Sequence, residues 1–239
     1  SSEDWDEHIR EIGNVLYKPK DEGREYRTFY SGYQGDYVGN QVYIGYAYSS
    51  DGKSWVKVGK VIERSLEDPY VLKVADTYYL YAEDKTDVPF KNIRRYHSSD
   101  CENWTDDGVV LEPVPGTWES QDVSSPVVWK EGNTWYMLYE GRQSGDVGKV
   151  GLATSANGTT WTKSGTNPVF SPSGSEGDFD EDSVVPDHIV KIGSTYYMSY
   201  HGKDVGVGFY KLGIAHSANL TSWTRDDAPV LYQDGTACR

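Results

Sequence analysis

The sequence predicts an all-β chain folded as a β-propeller of four-stranded antiparallel blades, and three observations predict it. A motif of the form Ser-x-Asp/Asn-x-x-x-Trp occurs four times, at Ser49–Trp55, Ser98–Trp104, Ser155–Trp161 and Ser217–Trp223. The same series of short strand signals surrounds every copy. The composition, with 20 Tyr and 8 Trp against 2 Met, suits pleated sheets. A repeat of about 50–60 residues marks a repeat architecture. Four-stranded units of this size cannot bury their own faces, so they pack on one another radially. The predicted blades run over about 5–62, 63–112, 113–170 and 171–232, within a single domain spanning 1–239. Four blades are counted; the alternative is a five-bladed ring with one blade outside this sequence.

Within each repeat the first strand is short and apolar: Val15–Tyr17, Tyr70–Leu72, Val127–Trp129 and His188–Val190, each followed by a lysine. An aromatic second strand follows, at Tyr26–Tyr30, Tyr78–Tyr81, Trp135–Tyr139 and Tyr196–Tyr200. The third strand carries small residues, as in Ile44–Ala47, Val150–Ala153 and Leu212–Ala215, whose Gly and Ala are expected to let adjacent sheets approach closely. The Ser-x-Asp/Asn turn comes next, its short polar side chains suited to bonding the backbone two or three residues on. Its Trp is expected to wedge between blades and to open the fourth strand. That strand ends near Val61-Ile62, Val110-Leu111, Val169-Phe170 and Val230-Leu231.

Because the turn recurs in every blade it reads as scaffold, and function is expected where the repeats disagree. They disagree at the approach to strand one and at the exit of strand two. In a propeller both places converge on one mouth, where Glu67, Asp68, Asp122, Asp187, His188, Glu140, Arg142, His201, Lys85 and Lys203 are expected, with Tyr33, Tyr70 and Trp118 nearby. Carboxylates can act as acid, base or nucleophile, cations and imidazoles can bond hydroxyls, and aromatic faces stack on sugar rings. The candidate catalytic residues are Asp68, Asp122 and Glu140. The candidate substrate contacts are Glu67, Arg142, Asp187, His188, His201, Tyr33 and Trp118.

A net charge of −14 disfavours nucleic acid and anionic membranes as partners. No apolar run is long enough for a membrane-spanning helix. No signal peptide is visible, and a mature secreted or periplasmic protein is the expected setting. Cys101 and Cys238 have no metal-ligand spacing, and whether they pair is left open. The sequons at Asn103, Asn157 and Asn219 fall in the repeated turn and are explained by it. No cofactor is expected, although Asp and Glu oxygens in an acidic channel could hold a structural Ca²⁺.

The stretches Glu67-Asp68-Pro69-Tyr70-Val71-Leu72-Lys73, Gly132–Tyr139 and Ser217–Trp223 resemble the five-bladed β-propeller glycosidases of the arabinanase/xylosidase, invertase/levanase and mannoside-phosphorylase type. The resemblance runs through almost the whole chain. It implies a carbohydrate-active enzyme with acidic residues on the inner strands of different blades. The Asp-Pro position of that pattern is matched by Asp68. The third-blade Glu position falls on Ser124 and the first-blade one on Gly13 or Asn14, so Asp122, Glu119 or Glu140 would supply a displaced acid, and Asp6 or Glu11 a first-blade one. The function expected is glycoside hydrolysis on a poly- or oligosaccharide, with a non-catalytic carbohydrate-binding propeller or a structural, partner-binding propeller as alternatives.

Overall fold

The computed structural model describes residues 5–19, 21, 23–37, 41–86, 90–143, 147–205 and 210–226, and no helix occurs among them. The strands are β1 (His8–Tyr17), β2 (Tyr26–Tyr33), β3 (Tyr43–Ser49), β4 (Val56–Ile62), β5 (Leu66–Val74), β6 (Thr77–Asp84), β7 (Asn92–Ser98) and β8 (Thr105–Leu111). They continue as β9 (Asp122–Glu131), β10 (Thr134–Arg142), β11 (Lys149–Ser155), β12 (Trp161–Lys163), β13 (Ser183–Ile192), β14 (Thr195–Lys203), β15 (Tyr210–Ser217) and β16 (Thr224–Arg225). Successive fours form antiparallel meanders, β1-β2-β3-β4, β5-β6-β7-β8, β9-β10-β11-β12 and β13-β14-β15-β16. These are the four blades of a β-propeller. β12 is short, Val169-Phe170 returning only as a bridge to Val150. The predicted strand end at Val230-Leu231 lies outside the described residues.

The chain forms two compact units, one of Ser1–Glu112 with Ser124–Trp129, the other of Pro113–Val123 with Lys130–Arg239. In the first, β5 packs against β1, β2 and β3. Its core gathers Phe29, Ile44, Tyr46, Leu66, Val71 and Leu80, all nearly inaccessible to water. Asn14 clips the two inner strands together: its amide donates to the Val71 carbonyl and accepts from the Val71 N–H, both at 2.8 Å. In the second unit, β13 packs against β10 and β11.

The recurring turn bears out its sequence reading in all four copies. Ser49 Oγ accepts the N–H of Asp51 and Gly52, and Asp51 Oδ1 accepts those of Lys53 and Ser54 at 2.8 Å. The same bonds form around Ser98 and Asp100, Ser155 and Asn157, and Ser217 and Asn219. The backbone bonds hold the exposed Asp51 carboxyl down to about 2. The tryptophans are less uniform than expected. Trp104 of the second blade does meet Phe29 of the first edge-on at 5.4 Å, but Trp55 is exposed. The indoles of Trp104, Trp161 and Trp223 donate to carbonyls of their own turns.

The third-strand glycines also differ from expectation. A Cβ on Gly151 would lie 2.4 Å from the Tyr139 ring, one on Gly45 2.4 Å from Tyr30, and one on Gly213 2.8 Å from Tyr200. Each glycine thus seats a tyrosine of its own blade's second strand, its cross-strand partner, rather than bringing separate sheets together. That tyrosine anchors a repeated cluster. An aromatic from the blade's approach segment stacks on it: Trp5 on Tyr30, Trp118 on Tyr139, Phe179 on Tyr200. The acid that follows bonds its hydroxyl: Asp6, Glu119 and Asp180 respectively. A fourth-strand cation then pairs with the acid, as in Lys57–Asp6 at 2.7 Å, Lys163–Glu119 at 2.7 Å and Arg225–Asp180 at 2.6 Å. The second blade reverses the polarity, with Arg95 on β7 opposite Tyr81 and paired to Asp107 on β8 at 2.8 Å.

Candidate active site

The inner strands β1, β5 and β13 each carry a register shift, at Ile12/Val15, Glu67/Tyr70 and Pro186/His188. An unpaired residue at such a bulge is turned out of the ladder, which re-aims its side chain. In β5 that residue is Asp68, at φ +49°, and on β9 Ser125 adopts the matching conformation at φ +46°. Neither is glycine, and a left-handed backbone at such residues costs of order 1 kcal/mol or more. The two strained residues are joined, Ser125 Oγ donating to Asp68 Oδ2 at 2.7 Å.

Around Asp68 the first unit collects three further carboxyls. Glu11 reaches it from β1, Glu67 from the preceding position of β5 and Glu83 from the end of β6. The cations are interleaved. Arg10 Nε lies 2.7 Å from Glu11 and 3.1 Å from Glu67, and its guanidinium sits 4.2 Å over the Tyr37 ring. Lys85 pairs with Glu67 at 2.6 Å and donates to Tyr37 Oη at 2.8 Å, while Tyr37 donates to Glu67 at 2.7 Å. Lys91 pairs with Glu83 at 2.9 Å. Glu67 is therefore held by three partners. Glu11 is held differently: Ser31 Oγ donates to its Oε2 at 2.5 Å, and Arg10 lies on its other side.

This packing separates the acids electrostatically. Burial, reinforced by the negative charge of Asp68 and then of Glu67, pushes the Glu11 carboxyl up to about 8. Burial pushes Glu83 up to about 7, with Lys91 opposing it. At neutral pH the site therefore keeps a proton on Glu11 beside the Asp68 carboxyl. A buried carboxyl that holds its proton beside a second carboxyl has the basic layout of an acid and its partner.

The remaining sequence-predicted residues fall in several settings. Tyr33 in the first unit packs on His8 at 5.2 Å and edge-on to Tyr37 at 5.4 Å. Tyr70 is buried in β5. In the second unit Glu140 is inaccessible and gripped by Arg142 in a two-pronged pair, both bonds 2.9 Å. Asp122 is buried at the start of β9. Trp118 and Glu119 belong to the tyrosine cluster of their blade, with Trp118 lying against Gly141. Asp187 is exposed and accepts from Ser199 Oγ at 3.0 Å, His188 follows it on β13, and His201 meets Tyr210 edge-on at 6.4 Å. Lys203 closes β14. Sequence reasoning passed over Arg10, Tyr37, Lys91 and the hydroxyl of Ser125. Among the described residues no three His, Cys, Asp or Glu side chains are grouped as metal ligands. Cys101 is buried with its thiol pushed up to about 12 by desolvation, and Cys238 lies outside the described residues.

The profile of the glycosyl hydrolases family 43 matches residues 59–182, just over half of the chain. The chain belongs to that family. The match takes in Asp68, Glu83, Ser125 and Glu140. The chain is also 24% identical to a 1,2-beta-oligomannan phosphorylase of Thermoanaerobacter sp. (strain X514), over 69% of this chain and 76% of the relative. Among solved structures it resembles a family 117 glycoside hydrolase of the marine bacterium Zobellia galactanivorans, with a TM-score of 0.71, 15% identity and coverage of 94% and 71% of the two chains. It also resembles a glycosyl hydrolase from Bacteroides ovatus, with a TM-score of 0.72, 19% identity and coverage of 93% and 71%. A third likeness is to a member of the GH130 family of mannoside phosphorylases, which contains glycoside hydrolases targeting β-1,2 mannosidic linkages in Candida mannan. There the TM-score is 0.72, with 19% identity and coverage of 95% and 72%. The three structural likenesses are of fold. The family makes this chain a carbohydrate-active enzyme.

Proposed function

We propose that the first unit's carboxyl cluster cleaves a glycosidic bond of an oligosaccharide, with Glu11 as general acid and Asp68 as general base. The carrying observation is the juxtaposition of Glu11 and Asp68 within one partly buried cluster. Glu11 gives its proton to the glycosidic oxygen as the bond to the anomeric carbon breaks. Asp68 takes a proton from the water that attacks that carbon, so the acid and base roles balance. Ser125 engages Asp68 Oδ2 and so fixes the plane of the carboxylate. Glu67, tied to Arg10, Lys85 and Tyr37, keeps the cations in place beside the reacting pair and sustains the high proton affinity of Glu11.

The first substrate class to test is the β-1,2-linked mannosides, supported by the identity to the oligomannan phosphorylase. The same relative favours a second reading in which phosphate replaces water as acceptor. Incubation with β-1,2-mannobiose, with arabino- and xylo-oligosaccharides, and with or without phosphate separates these outcomes by product: free sugar for hydrolysis, a sugar phosphate for phosphorolysis. Turnover that persists undiminished in Asp68→Asn would refute the assignment of the site.

A further inference from the structure

A second recess opens in the first unit, on the other side of β6 from the carboxyl cluster. Successive residues of a strand face opposite ways. Glu83 and Lys85 join the cluster, whereas Asp84 and Thr86 serve a cavity of about 580 Å³ lined by Tyr43, Arg64, Ser65, Thr86, Trp104 and Asp106, among others. That volume lies within the usual range for small-ligand pockets.

The walls are held by a buried anion. Asp84 is fully inaccessible; its Oδ2 accepts from Arg64 Nε at 2.7 Å and its Oδ1 accepts the Thr86 N–H at 2.9 Å. Arg94 Nε lies between Asp84 and Asp106, at 3.5 and 3.4 Å. Thr86 also ties across to the Ser65 carbonyl at 3.4 Å. The hydroxyl of Ser65, a residue more than nine-tenths buried on this wall, has no hydrogen-bond partner among the described residues. That hydroxyl is closed off from water, so the polar groups the recess can offer an occupant are those of Arg64, Thr86 and Asp106.

The chemistry of the lining selects that occupant. Aromatic and aliphatic surface from Tyr43, Trp104, Val61 and Ile62 alternates with Arg64, Asp106 and the hydroxyl of Thr86. An apolar face meeting carboxylate, guanidinium and hydroxyl groups fits a ring with C–H on its faces and hydroxyls at its edge. We infer that this recess is a second carbohydrate site, which takes one or two neutral sugar units and is separate from the carboxyl cluster. The choice of sugar over other polyols rests on the family assignment, not on the roles given to Glu11 and Asp68.

The test uses the whole chain labelled with 5-fluorotryptophan in the Asp68→Asn background, the Trp104 resonance being assigned through Trp104→Phe. β-1,2-mannotriose, xylotriose and arabinotriose are titrated in turn. The expected result is a saturable shift of the Trp104 signal with at least one trisaccharide, its apparent affinity weakened at least tenfold by Asp106→Lys and by Tyr43→Ala. No movement of that signal with any of the three, or an unchanged titration in both variants that keep the native fluorine spectrum, overturns the inference. Failure of the catalytic reading is seen separately: Asp106→Lys on an otherwise native chain retains turnover of a disaccharide, and Asp68→Asn does not.

Discussion

Substitution of Glu11 by Gln tests the proposed chemistry most sharply, because burial beside Asp68 raises this carboxyl into the working pH range. A carboxyl pushed up to about 8 is protonated in about nine of ten molecules at pH 7 and in about one of ten at pH 9. If Glu11 is the general acid, kcat/KM falls along an alkaline limb centred near 8, roughly tenfold per pH unit beyond it. The Gln variant cannot transfer a proton, so it loses about 10²–10⁴-fold in rate and the limb disappears with it. The neighbour supplies a second reading of the same event. The Asp68 charge helps hold the proton on Glu11, so the residual activity of Asp68→Asn should show its limb displaced toward acid. Burial is the larger cause, so part of the elevation survives the substitution. The assay is initial-rate measurement from pH 5 to 10 on the substrate identified by product analysis. An alkaline limb that survives in Glu11→Gln, or a rate within about threefold of the parent, would refute the assignment.

The same group makes a stability prediction. Its folded form binds the proton more tightly than the unfolded carboxyl at 4.5, so its contribution is fully present below about pH 4.5 and is lost as pH rises toward 8. Urea unfolding across that window should show a decline that Glu11→Gln flattens; an equal decline in both proteins contradicts it. Ser125→Gly removes the hydroxyl bonded to Asp68 but tolerates φ +46°, so stability should hold or rise while kcat drops about tenfold with KM little changed. A lowered melting temperature with unchanged kcat would instead mark Ser125 as scaffold. Gly151→Ala places a methyl 2.4 Å from the Tyr139 ring and should cost about 1–3 kcal/mol by urea unfolding; a neutral outcome would show that the ring can move aside. Asp180→Ala strips Arg225 and the Tyr200 hydroxyl of a shared buried acceptor, at a cost of about 3 kcal/mol. A loss under 1 kcal/mol in the same assay would mean that the cluster is not supporting its blade.

The scaffold was legible because it repeats. Ser49 and Asp51 have the same local task as their three counterparts, and a task performed within six residues leaves its signature in the chain itself. The place of Asp68 was legible for a related reason: its Asp-Pro setting belongs to the inner strand of its blade, and β5 carries it. The site around it was legible only in part, in Glu67, Lys85 and the first-blade candidate Glu11. Arg10, Tyr37, Glu83 and Lys91 come from four separate stretches of sequence, with no spacing pattern to connect them. The partner of Glu140 was not legible either: Arg142, two residues away, grips it in an ion pair.

By itself, then, the sequence determined the blade count within this chain, the strand order and the turn chemistry. All of these rest on local hydrogen bonding and on periodic burial. Only the tertiary structure decided which acids share a site, which are locked into the tyrosine clusters, and which keep a proton at neutral pH. Those outcomes depend on desolvation and on charge–charge distances of a few ångströms, set by how β1, β5 and β6 pack in three dimensions rather than by their order along the chain.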